Sequence, residues 1–220
     1  SGWISRNDSG IKRTLNLGDV LKMSDKVLVM LGNRVQLALD HQCKNMIQVE
    51  EGSSFTLSSV SPVRISLERG KIFSLLDDLP SESRFTVETP TAVVVLLGTQ
   101  CQINTNGVES NILVYRGLVE VRGRTLDGDV TEAVFLTAGS KTSVTEAGQA
   151  PKSAVKMNDK ENQEIAAVLE NAENTRQTLE PAQVQSWISE KPSSSASRND
   201  PASESSDEKI KSGKRLVVLL

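Results

Sequence analysis

The sequence predicts an all-β protein, a β-roll or solenoid-like stack or a jelly-roll sandwich, followed by a short C-terminal helical segment and a disordered tail. Three observations predict it. From residue 18 to residue 145, apolar side chains alternate with polar ones, the period of half-buried strands. Turn signals interrupt this alternation roughly every 8 to 12 residues, the spacing of sandwiches, rolls and solenoids. No helical pattern breaks the run, which argues against a parallel sheet built from βαβ units.

The elements follow in order. Residues 1–17 carry scattered apolar positions, Trp3, Ile4, Ile11, Leu15 and Leu17, and read as a leader strand or a loosely docked arm. Gly18-Asp19 and Ser24-Asp25 are turn pairs around Val20-Leu21, and Val27 to Leu31 reads as a buried strand. Val35, Leu37 and Leu39 alternate with Gln36 and Ala38; Ile47 and Val49 follow a polar loop; Phe55 and Leu57 follow the turn at Gly52. Val63, Ile65 and Leu67 form the next strand, Arg69-Gly70 turns, and Ile72 to Leu76 forms another. Phe85 and Val87 lead to Pro90, then Ala92 to Leu97, then Gly98. Asn106-Gly107 and Asp127-Gly128 are strong hairpin signals. Ile112 and Val114, Val119 and Val121, Val134 and Leu136, and finally Val144 complete the series. A Leu or Val three residues before a glycine recurs at Gly52, Gly70, Gly117 and Gly139. Glycine there permits positive φ at a corner, and recurrent corners suggest a roll or stack.

Beyond the β-region, residues 146–158 form a connector and 159–190 a helical segment. Ile165, Val168, Leu169 and Ala172 make one apolar stripe, with Asn158 or Asp159 as its cap. Val184, Trp187 and Ile188 form a second, shorter stripe. Residues 191–220 read as a disordered tail that ends in an abrupt apolar segment, Leu216 to Leu220. The chain therefore divides into an arm (1–17), a β-domain (18–145), a connector, a helical segment and a tail. A hydrophobic content of 37% is low for a packed globule, and its concentration in the β-region favours one compact domain with appendages.

A net charge of −3 without a basic face speaks against nucleic-acid binding. No run approaches the length needed for a transmembrane helix. The start at Ser1-Gly2 reads as a processed product, with a signal or anchor expected upstream.

The stretch from Phe85 to Val121 carries Thr89-Pro90-Thr91-Ala92, Gly98-Thr99 and Leu113 to Val121, and Val134 to Gly139 follows as VFLTAG. This order of TP-x-A, GT, v-x-v-x-x-G-x-V-x-V and v-x-L-x-A-G resembles the FecR domain of bacterial envelope proteins. Ser24-Asp25 stands where that family commonly has GD, and Glu51-Gly52-Ser53 stands near its dGS. Cys101 occupies a position where family members usually carry an aromatic. The resemblance implies an all-β fold in the cell envelope or periplasm. It also implies a role in sensing or protein interaction, with another envelope protein or assembly, or a cell-wall polymer, as partner.

The residues offer no catalytic, cofactor or metal site. His41 is the only histidine, so a triad or His-based metal site lacks partners. Asp77-Asp78 are adjacent, and adjacent strand residues point to opposite faces. Asp127-Gly128-Asp129 lacks the further oxygen ligands of a calcium loop and reads as a hairpin. Gly98-Thr99 is followed by neither a GK[ST] motif nor a helix, so it is no phosphate loop. Cys43 and Cys101 read either as two buried thiols or as one disulfide. Val184, Trp187 and Ile188, with Leu216, Val217 and Val218, are the candidate partner-docking residues, Trp being a common interface anchor.

Three functions remain open on these grounds. The first is a non-enzymatic interaction or signal-sensing module of the envelope. The second is a structural subunit of a larger envelope assembly, docking through its arm and C-terminal extension. The third is a carbohydrate-binding β-domain. It would need an exposed aromatic platform, whereas Phe55, Phe73, Phe85, Tyr115 and Phe135 fall mostly at inward positions.

Overall fold

The computed structural model describes residues 2–5, 12–40, 42–77, 84–178, 184 and 216–219. In chain order the strands are β1 (Gly2–Ser5), β2 (Lys12–Thr14), β3 (Val20–Leu21), β4 (Lys26–Val29), β5 (Val35–Ala38) and β6 (Asn45–Val49). Then come β7 (Ser54–Val60), β8 (Val63–Leu76), β9 (Phe85–Glu88), β10 (Ala92–Leu96), β11 (Gln100–Thr105) and β12 (Ser110–Arg116). The last are β13 (Leu118–Arg124), β14 (Val130–Thr137), β15 (Ser140–Val144), β16 (Val155–Lys156) and β17 (Leu216–Leu219), with helix α1 (Asp159–Thr178) before β17.

The strands form two sheets that share β8. The first runs β2-β1-β4-β7-β8-β9-β10-β13-β14. The second runs β3-β17-β5-β6-β8-β11-β12-β15-β16. Among the described pairs only β8–β9 is parallel; the rest are antiparallel, as short turns between sequential strands require.

The sharing of β8 departs from the expected strand-turn-strand at Arg69-Gly70. Val63 to Arg69 pairs with β7 in the first sheet, and Ile72 to Leu76 pairs with β6 in the second. Gly70, at φ 104°, bends the strand through a corner without ending it. The same residue lets Ser53 approach so closely that a Cβ at position 70 would lie 2.5 Å from the Ser53 Cα.

The main core fills the space between the sheets. Val27, Leu37, Ile47, Phe55, Ile65, Leu67, Phe85, Val94, Val121 and Leu136 are among its fully buried members. Each such side chain contributes roughly 1.5–3 kcal/mol through removal from water. The N-terminal residues take the strand alternative: β1 pairs with β4, placing Ile4 in this core.

The outer face of the second sheet is covered in two places. Helix α1 lays Ile165, Leu169 and Ala172 on Phe73, Leu75 and Leu113, as its apolar stripe predicts. Asn158 caps it reciprocally: the Glu161 N–H donates to Asn158 Oδ1 and the Asn158 N–H donates to Glu161 Oε2, each at 2.9 Å, a capping box. A smaller cluster joins Ala38, Cys43, Met46, Val184, Val217 and Leu219. Of the tail expected to be disordered, residues 191–220, the apolar segment Leu216–Leu219 forms β17 and the rest lies outside the described residues.

Candidate interaction surface

An apolar opening lies on the outer face of the first sheet. β1 and β4 pair Trp3 with Leu28, and the pleat that turns Ile4, Val27 and Val29 into the core turns Trp3, Leu28 and Met30 outward. Trp3 and Met30 are about two-fifths exposed, at 40% and 42%. Together with Ser5, Lys26, Ser54, Glu68, Arg69 and Asn106 they line an open groove of about 560 Å³. Its polar wall is fixed. Lys26 Nζ donates to Glu68 at 2.6 Å and the Ser54 hydroxyl donates to Glu68 Oε2 at 3.0 Å. The Lys26 hydrogen bond, assisted by Ser54 and opposed by partial burial, holds the Glu68 carboxyl below the usual carboxylate range. The pair is half exposed, so it orients the wall more than it stabilises the fold. The groove thus offers an aromatic-aliphatic floor beside a fixed ion pair, suited to an amphipathic ligand. In the sequence, only the scattered apolar positions of the arm, Trp3 and Ile4 among them, hint at it.

A second opening lies where α1 meets the second sheet. It is lined by Asp77, Gln100, Tyr115, Arg116, Leu169, Glu170 and Glu173, among others, and is more polar. Tyr115 is 40% exposed and Phe135 56% exposed, so these two of the five aromatics depart from the mostly inward placement expected. The strand pleat explains it: Tyr115 follows the inward Val114 and Phe135 precedes the inward Leu136, so both side chains point away from the main core. They belong to different sheets and share no platform.

Four of the residues expected to dock on a partner, Val184, Leu216, Val217 and Val218, pack on the chain itself. Leu216 and Val218 enter the main core, while Val217 and Val184 meet in the outer cluster with Cys43. The unpaired edges of β3 and β5 and the uncovered apolar face beside them accept this segment. Trp187 and Ile188 lie outside the described residues. Cys43 and Cys101 remain thiols, both buried, and no disulfide joins them; they belong to different clusters on opposite faces of the second sheet. Burial pushes the Cys101 thiol up to about 12, against the opposing pull of hydrogen bonds with Ser74 and Thr99. A thiol so protonated is a poor nucleophile.

The remaining candidates settle into turns or fall outside view. At Asp127-Gly128-Asp129 the Thr125 N–H donates to the Asp129 carbonyl at 2.8 Å, closing a hairpin. His41 and Asp78 lie outside the described residues. Among the described residues, no three His, Cys, Asp or Glu side chains gather closely enough to hold a metal ion, and no helix is long and apolar enough to cross a membrane.

The FecR protein family model matches residues 20–120, which run from β3 into β13. Residues 20–120 thus match a FecR domain. No curated protein matches the sequence. Two crystal structures of a candidate anti-sigma factor from Parabacteroides distasonis ATCC 8503 are similar to it. One has a TM-score of 0.49 at 18% identity, covering 66% of this chain and 64% of that one. The other has 0.50 at 17%, covering 66% and 63%. The chain therefore spans slightly under two thirds of their length, and at these identities the likeness is one of fold.

Within the FecR domain the TP-x-A motif builds a corner. The Thr89 Oγ1 accepts the Ala92 N–H at 2.8 Å, and the hydroxyls of Thr89 and Thr91 each meet the Ser110 hydroxyl at 2.7 Å. All three are buried, so a polar cluster, satisfied internally, ties the start of β10 in the first sheet to the start of β12 in the second. Cys101, at the usual aromatic position, is fully buried in the main core with its sulfur 3.2 Å from the Ser74 hydroxyl.

Proposed function

We propose that this chain is a non-enzymatic signal-sensing and protein-interaction module of a bacterial cell envelope. The observation that carries the reading is the FecR match over residues 20–120, a family of envelope-associated regulatory proteins. The fold likeness to a candidate anti-sigma factor is in keeping with a regulatory role, and a relay between an envelope partner and a transcriptional circuit is the finer form of this proposal. The groove floored by Trp3, Leu28 and Met30 is the surface through which the partner binds, because an exposed tryptophan set among aliphatics is a typical interface anchor.

The test is chemical crosslinking and recovery from envelope fractions, comparing the wild-type chain with Trp3→Ala and Met30→Ser. An envelope protein recovered by the wild type and reduced at least fivefold in both variants is the expected result. Identical recovery by all three would remove the groove from the proposal. Recovery of only cytoplasmic proteins would sink the envelope reading.

A further inference from the structure

We propose that the slot between β3 and β5 is a strand-accepting site. In this structure the chain's own β17 fills it; its external ligand is an extended run of large aliphatic residues on a partner protein. This deepens the reading of the chain as an interaction module and rests on it. β3 and β5 do not pair with each other. β17 runs between them, antiparallel to both, with Leu216 opposite Leu21, Val217 opposite Val20 and Ala38, and Val218 opposite Leu37. The Val218 N–H donates to the Asp19 carbonyl and the Gly18 N–H donates to the Val218 carbonyl, each at 2.9 Å.

The chemistry of the ligand follows from the resident. All four β17 side chains are buried; Leu216 and Val218 point into the main core and Val217 and Leu219 into the outer cluster. The slot therefore asks for an aliphatic side chain at every position, on both faces. Val20, Leu21, Leu37, Ala38, Cys43 and Met46 face it, so a charge there would be desolvated without a counter-ion. Main-chain hydrogen bonds supply affinity and the alternating pockets supply selectivity, the mode of strand addition to a sheet edge.

Two observations favour an outside occupant. Both walls, Val20–Leu21 and Val35–Ala38, lie within the matched residues 20–120, whereas β17 lies beyond them. The slot lies within the matched residues; its filler does not. β17 also pairs over only two positions with β3 and three with β5, a short ladder that a better-fitting strand can replace. A second copy of the chain is the weaker occupant. It would bring the same strand, and so no better fit than the one already in place. A partner with a better-fitting strand displaces β17, and the resident sets the threshold it must exceed.

The experiment uses the full-length chain and Val218→Pro, which removes the donor to Asp19 and is incompatible with a central strand. A fluorescent RLVVLL peptide, and the same peptide with lysine at its third and fifth positions, are titrated by anisotropy. The variant is expected to bind RLVVLL at least tenfold more tightly than the wild type, and the lysine peptide not measurably. Equal binding by both chains, or none by a variant that keeps its β-type spectrum and unfolding transition, overturns the proposal. Peptide-free dimers in sedimentation would instead make a second copy the occupant, and would also overturn it. A measurement on the unaltered chain guards against a variant that fails to fold. The Val218 and Gly18 amides should exchange with solvent at least tenfold faster than those of β6 and β8; equal protection defeats the proposal. Loss of the slot in these tests leaves the Trp3 groove experiment untouched, so the two readings fail separately.

Discussion

Ser24 shows how a single position records the FecR pattern. It stands where that family commonly has glycine, and it takes φ 69°, the left-handed region that disfavours a side chain. Its N–H donates to the Leu57 carbonyl at 2.7 Å, so the turn is kept by tertiary bonds despite the strain. Ser24→Gly should therefore stabilise the protein by about 0.5–1 kcal/mol, read as a raised denaturation midpoint in urea. An unchanged or lowered midpoint would mean that the serine side chain compensates locally. Cys101 makes the opposite case. Its alternation with Gln100 and Gln102 correctly indicates an inward side chain, but the state of the thiol depends on Ser74, 27 positions away, which no local pattern reveals. With its pKa at about 12, native Cys101 should resist iodoacetamide at pH 8 and react fully once the protein is unfolded. Rapid labelling in the native state would contradict the burial.

At the scale of elements, the sequence signals hold wherever one face of a strand meets water and fail where both are covered. β11 and β13 alternate in burial as their residues alternate in polarity. β6 does not: Asn45 and Gln48 read as outward and solvated, yet every residue of β6 is buried. Gln36 and Gln48 pair with each other across β5 and β6 at 3.0 Å, beneath the outer cluster. That cluster draws on Val184 and Val217, so its presence was not legible from the β-region alone. The helix was legible because its stripe and cap are local. What ties α1 to the sheet is long-range: Lys141 Nζ on β15 donates to Glu161 Oε1 at 2.5 Å. This bond, aided by the Asn158 N–H, holds the Glu161 carboxyl below its ordinary value of 4.5. The folded state then binds fewer protons than the unfolded chain, so the contribution of Glu161 to stability is complete above pH 4.5 and is lost as pH falls through the lowered folded value. The melting temperature of wild type should exceed that of Glu161→Gln at pH 7, and the gap should close towards pH 3. A gap that is constant with pH would mean that the carboxylate charge is not what matters.

For the whole molecule, the decisive strand is the one that the sequence divides in two. β8 alone belongs to both sheets, so the corner at Gly70 sets how they face each other across the main core. Glycine at a corner was legible; continuity through it was not, because nothing local distinguishes a bend from a turn. Comparison with Gly128 separates the backbone requirement from the packing requirement. Both residues have positive φ, 104° and 92°. A Cβ at Gly128 would meet nothing within 4 Å, whereas one at Gly70 would lie 2.2 Å from the Ser53 Oγ and 2.5 Å from its Cα. The hydroxyl end could rotate away, but the Ser53 backbone cannot, because the Ser53 carbonyl accepts the Val29 N–H at 2.9 Å and so belongs to the join between β4 and β7. Gly128→Ala should therefore cost about 1 kcal/mol, the strain of the left-handed backbone alone. Gly70→Ala adds a clash with a fixed main chain and should cost more than about 3 kcal/mol, with a shift of several degrees in melting temperature between the two variants. Equal costs at the two sites would show that β8 does not hold the sheets together through this contact, and that the corner is only a turn.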